Sequence, residues 1–275
     1  MSLVMLPDGY RINVEEVGAG LPVMLLHGGP GLDHTMFRPW LDPLADEFRL
    51  LYVDERGQGS SERVDPQTVT LSVWAGDIDL LAVTLELDRF AVLGHSFGAF
   101  IALTHAIERG TADGYVISGG ADTRAALDAD VTAAIEALGD DGAAIAKSWE
   151  DEKTVQTDEE FAALLEAQMP FHFAGAVPAD FAAATVYAPE VLRHAANTGY
   201  HDFDFPPQLD RIRKPTLIVV GERDRTTTPR AARVLHDGIA DSELSVIPEV
   251  GHMSFVEAPD VYIEVVRSFF RRVAA

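Results

Sequence analysis

Phe90-Ala91-Val92-Leu93-Gly94-His95-Ser96-Phe97-Gly98-Ala99-Phe100-Ile101-Ala102-Leu103 is the stretch on which the reading of this chain turns. An apolar run of strand length, Phe90 to Leu93, enters a Gly-x-Ser-x-Gly turn and leaves it as a helical pattern, so one serine stands between a strand and a helix. A turn that sharp requires a strained backbone, which pushes the serine oxygen into the open. Glycine two positions to either side keeps the neighbouring chain from colliding with it. Such a serine is placed to act as a nucleophile if the rest of the chain supplies a base, an orienting acid and donors for an oxyanion.

Moving outward, short apolar runs of the buried parallel-strand type recur at Val23 to Leu26, Leu50 to Val53, Tyr115 to Ser118 and Thr216 to Val220. Helical patterns at Leu71 to Leu87, Phe97 to Arg109 and Pro229 to Ala240 separate most of them, and strands alternating with helices imply a mostly parallel sheet. Leu3 to Leu6 and Tyr10 to Val17 flank Pro7-Asp8-Gly9 and read as an antiparallel hairpin leading into that sheet. The alternation stops between about Thr123 and Asp204, where alanine-rich, acidic helices such as Arg124 to Leu138 and Glu159 to Met169 run without strands. This predicts a helical cap, or lid, over residues 123–204, inserted into a core made of 1–122 and 205–275. Pro206-Pro207 and Arg213-Lys214-Pro215 mark the return to the sheet.

A chain of 275 residues can bury a substantial core. Its 44 acidic and 21 basic residues give a net charge of −23, a field that repels nucleic acid and anionic lipid and so argues against both as partners. The excess is uneven: residues 123–204 carry sixteen acidic side chains against four basic ones. These are the solvated faces of surface helices or, in the sharper reading, a field that steers cationic substrates. There is no cysteine, which excludes disulfides, thiolate metal sites and a cysteine nucleophile. No basic amino-terminal region precedes a long apolar stretch, and no apolar run approaches the roughly 20 residues of a membrane span. The expectation is a cytoplasmic enzyme, acting on a small-molecule or short-peptide substrate, with no membrane partner. Neither Walker-type nor dinucleotide glycine motifs occur. His201-Asp202-Phe203-Asp204 lacks a fourth convergent ligand and reads as a hinge turn rather than a metal site, so no cofactor and no metal are expected. Oligomeric state is not expressed in these patterns.

A hydroxyl nucleophile needs a neighbouring base, and histidine is the suitable residue near neutral pH. Of nine histidines, His236 and His252 follow the candidate acids near the end of the chain. His236 lies within a helical pattern, whereas His252 sits in the loop Glu249-Val250-Gly251-His252-Met253, between the strand-like Leu244 to Ile247 and a closing helix from about Ala258 to Arg272. His252 is therefore the expected base. The orienting carboxylate should come from a strand end. Gly221-Glu222-Arg223-Asp224 follows the strand ending at Val220 and makes Asp224 the choice, with Glu222 and Asp122 as competitors. His27-Gly28-Gly29-Pro30-Gly31 follows the strand ending at Leu26, where a glycine turn can aim an N–H inward. Gly29 and Phe97 are the expected oxyanion donors.

Taken together, these residues resemble the α/β-hydrolase fold family across nearly the whole chain, the cap excepted. More narrowly, His27-Gly28-Gly29-Pro30-Gly31 with Asp54-Glu55-Arg56-Gly57-Gln58-Gly59-Ser60-Ser61 looks like the proline iminopeptidase branch, whose members release an amino-terminal residue, often proline, from peptides. That resemblance implies a serine hydrolase working through an acyl-enzyme on Ser96. The branch usually has Gln where Glu55 stands, often Trp where Phe97 stands, and commonly an acidic residue where Arg225 follows Asp224. In the family such acids, with others from the cap, hold the substrate's ammonium group. A carboxylesterase or lactonase, and a ligand-sensing binding protein on the same fold, are the alternatives. Cap aromatics Trp149, Phe161, Phe171, Phe173, Phe181 and Tyr187 line a pocket or form the cap's own core.

Overall fold

The computed structural model describes residues 2–181, 183–199 and 203–275, through which runs one eight-stranded sheet in the order β1-β2-β4-β3-β5-β6-β7-β8. The amino-terminal hairpin pairs β1 (Ser2–Met5) with β2 (Arg11–Val17), and β2 runs antiparallel to β4 (Phe48–Val53). The remaining strands are parallel: β3 (Leu21–Leu26), β4, β5 (Ala91–His95), β6 (Gly114–Ser118), β7 (Thr216–Gly221) and β8 (Ser242–Ile247). Their near-continuous apolar runs suit strands covered on both faces. Along β3, Met24 and Leu26 join the core on one side, and Val23 and Leu25 join the core on the other.

Helices α1 (Leu71–Thr84) and α2 (Phe97–Glu108) cover the first face. The pattern predicted α1 as far as Leu87, but the helix stops at Thr84 because Leu85 leaves helical geometry and Glu86 turns left-handed (φ 54°). Between β6 and β7 the chain builds α3 (Arg124–Ala137), α4 (Gly142–Asp151), α5 (Asp158–His172) and α6 (Pro189–Thr198). Two of these begin at threonine caps: Thr123 accepts from the N–H of Ala126, and Thr157 forms a capping box with Glu160. Thr123 also bridges Asp204, so the segment leaves and rejoins the sheet side by side. His201 and Asp202 of the expected hinge lie outside the described residues. The chain closes with α7 (Pro229–Gly238), the short α8 (Ser254–Glu257) and α9 (Pro259–Ala274), whose Tyr262, Val266 and Phe270 fill the second core.

The order of strands fixes where chemistry is possible. From β3 the chain moves outward to β4, then crosses back through α1 to β5 on the other side of β3, and the carboxyl ends of β3 and β5 are the switch point at which open sheets of this kind place their crevice. Leu26 pairs with Gly94 at those ends, which sets the glycine turn after β3 beside the serine turn after β5.

Candidate active site

Ser96 adopts φ 54° and ψ −114°, a conformation that costs a non-glycine residue about 1–3 kcal/mol and persists only where its surroundings over-determine it. Those surroundings are visible. Its N–H donates to the Ser118 carbonyl of β6 at 2.9 Å, and its own carbonyl accepts from the N–H of Ala99 at 2.9 Å. A Cβ on Gly94 would lie 2.1 Å from the Gly98 carbonyl, and one on Gly98 would lie 2.2 Å from that of Leu26, so both glycines are required by backbone contact. Ser96 is partly exposed between buried neighbours.

Asp224 and His252, from the loops after β7 and β8, meet in a buried contact: the imidazole Nδ1–H donates to Asp224 Oδ2 at 2.8 Å. The other carboxylate oxygen accepts from the N–H groups of Thr226 (2.8 Å) and Thr227 (2.9 Å), and the Thr227 hydroxyl donates to Oδ2 at 2.9 Å. Burial alone would raise the Asp224 carboxyl, but His252 and the threonine amides outweigh it and hold it below the usual carboxylate range. The competing acids are engaged elsewhere. Asp122 receives both guanidinium nitrogens of Arg230, at 2.8 and 2.9 Å, and Glu222 accepts from the N–H of Glu249 at 3.0 Å. His236, within α7, shares a hydrogen bond with the Ser242 hydroxyl at the start of β8 at 2.8 Å. Asp122→Asn is accordingly expected to lower stability by about 1–2 kcal/mol, read as a reduced denaturation midpoint, with kcat unchanged.

The glycine turn after β3 brings Gly28 against the serine: a Cβ there would sit 3.4 Å from that of Ser96. Gly28 donates its N–H to Met36 Sδ at 3.0 Å and Gly31 donates to the Gln58 side-chain carbonyl, whereas the exposed Gly29 N–H has no acceptor among the described residues. Phe97 opens α2, where backbone N–H groups point out along the helix axis. Behind this turn, the Asp54 carboxylate gathers the His34 N–H (2.9 Å), His34 Nδ1 (2.6 Å), Asn13 Nδ2 (3.0 Å) and the Ser60 N–H (2.8 Å). The two glycine-containing motifs therefore form one buried knot under the crevice.

Several contributors escaped sequence reasoning. A Cβ on Gly119 (φ 58°) would lie 3.0 Å from His252 Cε1, so this glycine makes room for the imidazole; its signal was the Gly119-Gly120 pair ending β6. The His252 ring lies 4.8 Å from that of His95 and 5.3 Å from that of His172, at the end of α5. Burial first, then His252, pulls both flanking imidazoles down, His172 to about 3, so they stand as neutral walls around His252. Trp149 of α4 packs on His172 and Phe171, whereas Phe161 and Phe173 are buried in the second core. Arg225 turns its guanidinium toward the Pro170 carbonyl of α5, 3.5 Å away. The end of α5 is fastened to the His252 loop. The His252 N–H donates to the His172 carbonyl at 2.7 Å, and Glu257 accepts from Ala174 (2.9 Å) and Gly175 (2.8 Å) through one oxygen and from Gly251 (2.7 Å) through the other.

A strained serine turn beside a glycine turn, at the carboxyl edge of this sheet, defines the class: the alpha/beta hydrolase family model matches residues 23–265, and the chain belongs to that family. Within it, the chain is similar to proline iminopeptidases. That of Lactobacillus acidophilus is 28% identical over 281 residues, covering 95% of this chain and 94% of the relative, and that of Clostridium botulinum is 28% identical over 286 residues, covering 96% and 94%. Among solved structures, an esterase from Exiguobacterium antarcticum superposes with a TM-score of 0.78 at 25% identity, covering 98% of this chain and 99% of its own. The proline iminopeptidase of Mycobacterium smegmatis superposes with a TM-score of 0.77 at 20% identity, covering 99% and 98%. No helix among the described residues is long and apolar enough to cross a membrane.

Proposed function

We propose that this protein is a serine hydrolase that forms an acyl-enzyme on Ser96, with His252 as general base, Asp224 as its orienting carboxylate, and the N–H groups of Gly29 and Phe97 as oxyanion donors. The observation that carries this reading is the buried 2.8 Å contact of Asp224 with His252, at the same sheet edge as the outward-turned serine. Ser96 Oγ attacks the substrate carbonyl as its proton passes to His252 Nε2, and Asp224 stabilises the imidazolium without taking the proton. The same proton then goes to the leaving group, and water activated by His252 releases the acyl chain. Residues 123–204 serve as the cap over a core of 1–122 and 205–275.

The substrate in this reading is a short peptide or arylamide that gives up its amino-terminal residue. Its support is the similarity to proline iminopeptidases over most of the chain and the acidity of the cap. In that cap, burial pushes the Glu152 carboxyl up to about 7 against a 2.7 Å hydrogen bond from Gln168 and the charge of Arg124. A second reading, an esterase for small esters or lactones, is favoured by the cation of Arg225 next to Asp224 and by the likeness to the Exiguobacterium enzyme. Parallel assays of prolyl and other aminoacyl arylamides against short-chain aryl esters and lactones decide between them. Turnover of arylamides is the expected result, and turnover of esters alone refutes the peptidase assignment. Failure of a fluorophosphonate to label Ser96 in folded protein would refute both and leave a binding protein.

A further inference from the structure

Beneath the crevice lies a second carboxylate–imidazole pair, made of Glu55 and His27, which the reaction described above does not use. Both residues are almost wholly buried, and Glu55 Oε2 contacts His27 Nε2. The Glu55 carboxyl oxygens have no other hydrogen-bond partner among the described residues. On the far side of the ring, His27 Nδ1 lies 2.7 Å from the carbonyl oxygen of Gly28. A carbonyl oxygen only accepts, so Nδ1 carries a proton and donates it. That carbonyl belongs to the same peptide unit as the N–H of Gly29, and the unit is trans, so its C=O and N–H point in opposite directions. Gripping the oxygen therefore fixes the Gly29 N–H on the side of the peptide away from His27, Ser96 lies beside Gly28, and a hydrogen bond at one end of an amide strengthens the donor at the other.

We propose that Glu55 is a positioning residue for the oxyanion site, acting through His27 and the Gly28–Gly29 peptide to hold the Gly29 N–H toward the reacting carbonyl. This rests on the serine-hydrolase reading of Ser96. The pair works as a unit holding one shared proton. With that proton on His27, both ring nitrogens are donors; with it on Glu55, the carboxyl donates to Nε2, and Nδ1 still carries its own. Either way Gly28 is held. When the shared proton leaves, the one remaining on the ring is drawn to Nε2 by the carboxylate, and the Nδ1 lone pair then faces the Gly28 oxygen and repels it. Burial pulls the His27 imidazolium down, but Glu55 and then Asp54 outweigh it and hold it up to about 9, so the grip is present below that pH and lost as pH rises through it. The other groups facing the pair are His34, bound to Asp54, the Arg56–Asp77 ion pair along the same cavity wall as Glu55, and the neutral His95 beside Gly28.

The test is the rate of fluorophosphonate labelling between pH 6 and pH 10.5, because the phosphonyl oxygen of the probe occupies the oxyanion position. Wild-type protein should lose labelling rate near pH 9. Glu55→Gln, whose amide donates to Nε2 without titrating, should keep its own neutral-pH rate through that range. His27→Phe, which keeps a ring in place and removes the Nδ1 donor, should lower the limiting labelling rate on the order of 10- to 100-fold while shifting the half-saturating probe concentration by no more than about twofold, the pattern of a lost transition-state interaction. If His27→Phe does not fold, the profile of Glu55→Gln decides alone. Wild-type rates in His27→Phe, or an unaltered alkaline limb in Glu55→Gln, overturn the proposal while wild-type labelling keeps the reading of Ser96 intact. Absence of labelling in folded wild type overturns that reading instead.

Discussion

Replacing Ser96 by alanine is expected to lower kcat by about 10⁶-fold and to abolish fluorophosphonate labelling, leaving the residual rate that an oxyanion site and substrate binding provide without a nucleophile. The fold should survive, because the turn is secured by backbone contacts rather than by the hydroxyl: the Ser96 N–H to Ser118, its carbonyl to Ala99, and the close approaches of Gly94 and Gly98. A companion variant separates chemistry from conformation. Ser96→Gly should be equally inactive yet more stable than Ser96→Ala by about 1 kcal/mol, since glycine occupies φ 54° without strain. Melting curves of the two variants beside a labelling gel measure both effects. Residual turnover in Ser96→Ala comparable to wild type would remove the serine from the mechanism.

The second large effect belongs to Asp224→Asn, for which a fall in kcat of about 10⁴-fold is expected at neutral pH. The geometry explains why so small a change is so damaging. One carboxylate oxygen accepts two backbone N–H groups, from Thr226 and Thr227, so the asparagine oxygen must occupy that position and its NH₂ must take the other, facing His252 Nδ1. Two donors cannot face one another, so the imidazole moves its proton to Nε2 and can no longer accept one from Ser96. Glu222→Gln, on an exposed acid bound to the Glu249 N–H, should leave kcat unchanged. Steady-state kinetics on whichever substrate the panel identifies, with circular dichroism to verify folding, tests the pair. Equal activity of Asp224→Asn and wild type would assign the orienting acid elsewhere.

Much of this arrangement is legible in the sequence because it rests on local chemistry. Gly94 and Gly98 announce a close approach, Pro30 and its glycines announce a rigid turn, and apolar runs ending in Gly221 or Ser118 announce strand ends. In an α/β sheet the strand ends are where side chains gather. What escaped notice depends on residues distant in the chain. Glu257 reads as an ordinary helix-end acid until Ala174, Gly175 and Gly251 converge on it. His172 is one histidine in an acidic helix until the packing of α5 brings it against His252. Glu55 was noticed as a departure from the usual glutamine, yet its pairing with His27 joins two strand ends that only the register of β3 and β4 makes neighbours. Helices α4 and α6 were not delimited individually: each is only ten residues long, and neither starts at a side-chain cap of the kind that marks α3 and α5.

The three amides on Glu257 imply a mechanical rule. One carboxylate joins the segment just past α5 to the loop bearing His252, so the two move as a single lever. On the proposed roles of His252 and Asp224, swinging this corner away would drag the Gly251–His252 backbone off Asp224 and part the base from its acid. In that reading, being shut at this corner and being able to react are the same state. The amides of Ala174, Gly175 and Gly251 should accordingly exchange with deuterium together, at one common rate.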